Sequence, residues 1–539
     1  MSRLSRLALL GLFIPSLALA QPATPPKLVI VLVVDQLSGG LWNEYRGQWS
    51  GGFARLAGGT VYANGFQSHA TTETCPGHAA ISTGVRPGRN GIVANEWVDR
   101  AAPRADKRVY CAEDERIAGS TSNDYRLSAA HLRVPTIGER LKRASPGSRV
   151  IGISGKDRSA AMLAGQGADQ LLYRKGKAFV ASSAGSAPPS LAPFNAAMAA
   201  QVAAAQPTLE PTPFCAAKAR PIAVPDHAPV GAGAFARKAG DWNAYRASPE
   251  FDGATLALAA AAIRDLRLGQ SGATDLLAIG LSATDAVGHA LGSEGQEMCL
   301  NLLSLDRDLG DFFSQLDRWG IDYAVALSSD HGVADLPERA RLNGDPQAQR
   351  IDVDLTPEKV SAAVRAKTGL KGPILYPFGT VGDLYLAAEL VRADRDRALA
   401  AVISEYRAHP QVEAVFAKAE VAAASMPSGD PRRWSLIERV RVNFDPERSG
   451  DLYVILKDHV TPIGHVESSV ATHGSAWDHD RHVPIIFWRK SALPAAPIEA
   501  VETVDIAPTL AAMLRLPIAA GDYDGRCLNG AAGVVCPTR

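Results

Sequence analysis

The sequence predicts an α/β fold, a doubly wound and mostly parallel sheet flanked by helices, and three observations lead there. Short, continuously apolar runs recur at residues 28–34, 150–154, 276–281, 323–327 and 483–487, as suits parallel strands buried on both faces. Alanine-rich helical stretches at 253–268 and 506–514 lie between or after them, the alternation expected of a sheet covered by helices. Chemistry-bearing residues stand where the runs begin or end: Asp35 after the first, Asp285 and His289 after the third, Asp330 and His331 after the fourth, and His473 before the fifth. Ligands of open α/β sheets sit beyond the carboxyl ends of the strands, so these distant segments are expected to meet at one edge.

Taken in order, the chain of 539 residues opens with Arg3 and Arg6 before an apolar stretch that closes on Ala18-Leu19-Ala20. This is the pattern of a secretory signal peptide, expected over residues 1–20. The stretch is shorter than the ~20 apolar residues of a spanning helix and Pro15 interrupts it, so a membrane anchor is not expected. Without the leader's two arginines, 54 basic residues face 56 acidic ones, a balance that recruits neither nucleic acid nor acidic lipid. Six cysteines are too few for a scaffold but can pair in an oxidising compartment, and Cys527 with Cys536, flanking a glycine-rich turn, is the expected disulfide. Because the candidate ligands run from Asp35 to His473, residues 21–539 read as one catalytic domain. Insertions near 175–230 and 338–461 are expected to cap the site.

The site segments differ in how much they say. In Asp285-Ala-Val-Gly-His289 a carboxylate and an imidazole stand four apart, which puts them on one helical face; an ordinary surface pair would look the same. Asp330-His331-Gly332 is more specific, because a strand delivers it and glycine lets the backbone turn at once. Near the last run, His473, His479 and His482 are equivalent on chemistry alone. Thr71-Thr-Glu-Thr74-Cys-Pro-Gly-His78 leads into an alanine-rich stretch, with Pro76 suited to a first helical turn. A helix start there would offer free N–H groups and positive dipole to an anion beside Thr74. His78 reads as a structural hydrogen-bonding residue, and with metal ligands nearby Thr74 is a stronger nucleophile candidate than Cys75. Lys156 and Arg158 directly follow the run 150–154. In an extended segment both would point the same way and could reach one anionic group; as isolated residues they would more often be a solvated face, but here they aim at the same sheet edge as the ligands.

Together these motifs, with Gly91-Ile-Val-Ala-Asn95, resemble the alkaline phosphatase superfamily, and within it the secreted bacterial phosphate-irrepressible enzymes that use a threonine nucleophile. The resemblance spans most of the mature chain and implies an alkaline-phosphatase-like fold. It assigns one zinc ion to Asp285, His289 and His473, and a second to Asp35, Asp330, His331 and Thr74; here it also selects His473 among the three histidines. Asn95 would hold a phosphoryl oxygen, and Lys156 with Arg158 matches the Lys-x-Arg pair of the monoesterases. The implied activity is hydrolysis of small phosphate monoesters through a covalent phosphothreonine and two zinc ions, by a periplasmic or extracellular monomer with no nucleic-acid partner. The nearest alternative is a phosphodiesterase or nucleotide pyrophosphatase on the same fold, and Lys156 and Arg158 count against it because a second ester group would need their space. A sulfatase is disfavoured because Pro76 directly follows Cys75 and the expected arginine is missing. A metal- or phosphate-binding protein without turnover is the reading from another class.

Overall fold

The computed structural model describes residues 24–182, 187–467 and 469–537; the leader expected at residues 1–20 lies outside them. Among the described residues nine strands form the main sheet: β1 (Leu28–Val34), β2 (Thr60–Phe66), β3 (Val150–Ser154), β4 (Gln170–Lys175), β5 (Ala178–Ser182), β6 (Asp275–Leu281), β7 (Tyr323–Ser328), β8 (His482–Arg489) and β9 (Val501–Glu502). Their order is β9-β2-β8-β7-β1-β6-β3-β4-β5. The central stretch from β7 to β4 is parallel throughout, whereas β8 and β5 run against it.

Six helices matter most for the site: α1 (Thr74–Thr83), α2 (Asp157–Ala164), α3 (Pro249–Leu266), α4 (Ala283–Leu291), α5 (Gln296–Arg318) and α6 (Ile506–Met513). All seven residues of β1 are buried, and their period of two divides them between two cores. Leu28, Ile30, Leu32 and Val34 pack in the cluster that holds α3 and α5 residues such as Ile263 and Phe313. Val29, Val31 and Val33 join Ala79 and Ile81 of α1, Met162 of α2 and Leu510 of α6. Burial is worth roughly 1.5–3 kcal/mol per fully covered branched side chain, so β1 anchors both layers.

The run at 483–487 reads as a parallel strand in the sequence, but β8 is antiparallel to both its neighbours. Its continuous apolar character reports burial on two faces and carries no information about direction. The reversal has a use: β8 starts, at His482, on the edge where β2 and the parallel strands end.

Residues 338–461 carry their own three-stranded antiparallel sheet, with Leu452–Leu456 between Gly382–Leu384 and Val412–Ala417. Helices Pro357–Thr368 and Arg392–Ala408 pack on it through an apolar cluster that includes Val364, Val402, Tyr406 and Val454. The stretch 175–230 begins in the main sheet as β5 and continues through helix Leu191–Ala203 to a small hairpin, Ile222–Val224 with His227–Val230. Cys527 pairs with Cys536 as expected, and Cys75 with Cys111 and Cys215 with Cys299 are further disulfides. Among the described residues, no helix is long and apolar enough to cross a membrane.

Candidate active site

Strand register brings the predicted segments level. Val34 of β1 lies opposite Leu281 of β6, Val33 opposite Ser328 of β7, and Gly280 of β6 opposite Ser154 of β3. Asp35, Asp285, Asp330 and Lys156 therefore leave the sheet at one edge, each within four residues of its last strand position. His473 reaches the same edge from the other side, because it lies nine residues before the start of the reversed strand β8.

Two groups of ligand-type side chains result. Asp35, Asp330 and His331 have ligand atoms within 4.8 Å of one another, and so do Asp285, His331 and His473. His331 thus stands in both groups. His289 is adjacent: its Nε2 lies 3.2 Å from Asp285 Oδ1, and its ring is 5.1 Å from that of His473. Asp285 falls in the first turn of α4 with His289 one turn later, so the i, i+4 spacing is helical.

The three imidazoles are oriented alike. Nδ1 of His289 faces the Ala471 carbonyl at 2.9 Å, Nδ1 of His331 the Gly332 carbonyl at 3.0 Å, and Nδ1 of His473 the Thr72 carbonyl at 2.8 Å. A carbonyl partner places the proton on Nδ1, which leaves each Nε2 a lone pair for a cation. Both oxygens of Asp35, Oδ2 of Asp330 and Nε2 of His331 are buried without a hydrogen-bond partner. Leaving buried acceptors unpaired is costly, and a divalent cation is the partner this Asp and His set fits.

The charges are strongly coupled. Burial first, then the facing Asp285 and Asp330 carboxylates, push the Asp35 pKa well above the ordinary range. Burial also works upward on Asp285, but Lys156, His289 and His473 outweigh it and hold its pKa well below. Burial drives His331 down to about 3, against the pull of Asp330, so it is neutral and free to ligate.

Thr74 opens α1, and every residue of that helix is buried. Cys75 donates its N–H to Asn95 Oδ1 at 2.8 Å and Pro76 has none, so the turn offers chiefly the positive end of a dipole where the sequence predicted a row of free donors. That bond occupies the Asn95 Oδ1 end, so the Nδ2 end is what the amide has to donate. His78 Nδ1 lies 2.8 Å from the Thr74 carbonyl, in the hydrogen-bonding role expected of it; its 3.2 Å approach to Asp330 Oδ2 is a close contact outside hydrogen-bond geometry. Gly77 is needed because a Cβ there would lie 2.1 Å from the Asp330 carbonyl oxygen.

Lys156 and Arg158 are not in an extended segment: β3 ends at Ser154 and α2 begins at Asp157, with Lys156 as its N-cap. They converge nonetheless, with Lys156 Nζ 3.5 Å and Arg158 Nη2 3.4 Å from Thr74 Oγ1. Lys156 Nζ also stands 2.6 Å from Oδ2 of both Asp285 and Asp35; the contact to Asp35 is an ion pair outside hydrogen-bond geometry. Burial opposes the charge on Arg158, but Tyr110, Asp35 and Asp157 hold its pKa above the ordinary range.

A cavity of about 750 Å³ opens beside these groups. Glu73, Asn95, Arg158 and His473 line its floor, while Phe378, Asp383 and Tyr453 from within 338–461 form part of its wall. Two residues near the site escape a reading by sequence. Glu73 accepts the Asn95 N–H at 2.6 Å; its position beside Thr74 was the only signal. Gln36 is buried against two carboxylates, and a polar residue directly after Asp35 at the end of an apolar strand was the available hint. His482, which sequence could not separate from His473, instead bonds the Ala63 carbonyl and stacks on Phe66.

Comparison with known proteins agrees with this architecture. Residues 29–481 match the family model for type I phosphodiesterase / nucleotide pyrophosphatase. Alkaline phosphatase PhoK from a Sphingomonas species is 49% identical over 516 residues, covering 95% of this chain and 92% of that protein. Alkaline phosphatase PhoD from Zymomonas mobilis is 41% identical over 524 residues, covering 96% and 91%. The crystal structure of alkaline phosphatase PafA superposes with a TM-score of 0.82 at 26% identity, over 95% of this chain and all of that one. The chain belongs to the type I phosphodiesterase / nucleotide pyrophosphatase family, within the alkaline phosphatase superfamily.

Proposed function

We propose that this protein is a secreted, zinc-dependent alkaline phosphatase that hydrolyses phosphate monoesters through a covalent phosphothreonine at Thr74. The observation that carries the reading is the meeting of Lys156 and Arg158 on Thr74 Oγ1, at 3.5 and 3.4 Å, beside two buried carboxylate and imidazole groups. The alkaline phosphatases among its relatives support it.

Asp35, Asp330 and His331 would hold one ion together with Thr74, and Asp285, His289 and His473 the other. When bound, the two ions supply Lewis acidity toward the Thr74 hydroxyl and the leaving oxygen. Thr74 Oγ1 forms the bond to phosphorus as the ester P–O bond breaks, and water then cleaves the new P–Oγ1 bond to release inorganic phosphate. Asn95 Nδ2 donates to one non-bridging oxygen. Lys156 and Arg158 neutralise the rest of the dianion, and a second ester group would remove charge from the place they serve. Residues 21–539 act as one catalytic domain whose 338–461 segment covers the cleft, and the protein works as a monomer. The leader and three disulfides support export to an oxidising compartment.

The test is steady-state hydrolysis of p-nitrophenyl phosphate and bis-p-nitrophenyl phosphate by the zinc-loaded mature protein, with Thr74→Ala alongside. A strong monoester preference is expected, with a loss of at least about 10³-fold in the variant. A diester preference would move the protein to the phosphodiesterases, and equal turnover by the variant would remove Thr74 from the reaction.

A further inference from the structure

Gln36 is fully buried and adopts φ 71°, a left-handed conformation uncommon outside glycine. In that conformation one residue reaches both candidate metal groups. Its backbone N–H donates to Asp330 Oδ1 at 3.2 Å, and its side-chain Nε2 donates to Asp285 Oδ1 at 3.1 Å. The other end of the amide is unsatisfied, since Gln36 Oε1 is buried with no hydrogen-bond partner. A glutamine serving only to stabilise the interior would have both ends paired, because an orphaned carbonyl is costly. Here only the end that faces a carboxylate is used. Residue 288 leaves room for it: a Cβ on Gly288 would sit 1.7 Å from Gln36 Oε1.

Resting on the two-metal reading above and going beyond it, we infer that Gln36 is a positioning residue, whose side chain aims the Asp285 carboxylate at its metal ion while its backbone N–H steadies Asp330. The Lys156 ammonium takes Oδ2 of Asp285, and Gln36, with His289 and His473 nearby, fixes Oδ1. The two halves of the clamp are chemically unequal. Changing the side chain removes the bond to Asp285 and leaves the backbone bond to Asp330 in place, so a replacement should loosen one ion and spare the other. The glycine of Asp285-Ala-Val-Gly-His289 then has a reason: a side chain there would push the Gln36 amide off its carboxylate.

The experiment is titration of metal-free mature protein with zinc against a chromophoric competing chelator, for the wild type, Gln36→Ala, Gly288→Ala and the double variant. Wild type should take up two ions. In Gln36→Ala one binding step should weaken by about 10–100-fold, as for other partners of metal ligands, with the second step unchanged. Gly288→Ala should weaken the same step, because its methyl group displaces a flexible amide, and the double variant should be no weaker than Gln36→Ala. With cobalt in place of zinc, only one ion's visible absorption should change. Unchanged affinities in Gln36→Ala, equal weakening of both steps, or additive losses in the double variant would each overturn the assignment. A wild-type protein that binds fewer than two ions overturns the two-metal reading itself, and the assignment with it.

Discussion

Replacing Gly77 with alanine adds one methyl group at the closest approach between α1 and the Asp330 loop. The new Cβ would lie 2.1 Å from the Asp330 carbonyl oxygen and 2.7 Å from its carbonyl carbon and Cα. All three are backbone atoms, so no rotamer change relieves the contact. Reaching the 3.4 Å of ordinary contact requires a separation of about 1.3 Å, and α1 carries Thr74 with it. Alanine in a helix gains roughly 0.5–1 kcal/mol over glycine, while overpacking a dense interior costs about 1–3 kcal/mol, so the net effect on stability is a modest loss. Catalysis should suffer more, because an ångström of misplacement can cost on the order of 10²-fold. The expected outcome is a fall of about 10²-fold in kcat/KM on p-nitrophenyl phosphate, with a folded protein by circular dichroism and a melting temperature lowered by a few degrees. A variant with wild-type kcat/KM would refute the claim that this contact sets the position of Thr74 against Asp330.

Three further outcomes follow from other parts of the structure. Arg158→Ala should lower monoester kcat/KM by about 10–10²-fold, the worth of a charge-assisted hydrogen bond, while the slow diester rate changes little; parallel kinetics on both substrates decide it. Replacing Cys75 and Cys111 together with alanine opens a link of 36 residues, worth about 3–4 kcal/mol on the chain-entropy account, and urea unfolding should register the loss. Asp252 Oδ1 accepts the Ser282 and Ala283 N–H groups at the start of α4, and burial raises its pKa from 3.8 to about 7. Its contribution is therefore full below about pH 4 and lost as pH rises through 7, with a ceiling on the order of 4 kcal/mol. Asp252→Asn keeps the acceptor and removes the titration, so melting temperatures from pH 5 to 8 should fall more steeply for wild type than for the variant, and parallel curves would contradict this.

Much of the site was legible because local pattern and local position coincide in this fold. A run apolar on both faces marks a central strand, and a carboxylate just beyond such a run lies at the ligand edge; Asp35 and Asp330 with His331 were readable on those grounds alone. Glycine in Asp330-His331-Gly332 was legible as a turn, though its tight approach to the His479 carbonyl, 2.2 Å from where a Cβ would be, was not. Strand β2 was missed, since Thr60, Asn64 and Gly65 break its apolar character. Glu73 and Gln36 were passed over because a polar residue beside a candidate ligand looks the same whether it faces solvent or another carboxylate.

The sequence by itself marked the apolar runs that become β1, β3, β6, β7 and β8, the Asp and His residues that stand beyond them, and, for Cys527 and Cys536, a pairing between near neighbours. Tertiary structure alone decided that β8 runs backward and so brings His473 to the edge of Asp35, that His331 stands in both ligand groups, and that Cys75 is tied to Cys111 beside Thr74. It also decided that Gln36 touches Asp285 and Asp330, 249 and 294 residues away. The physical reason is that burial and turn chemistry are written in adjacent residues, whereas strand direction, register and contact across hundreds of residues are settled only when both faces of the sheet pack at once.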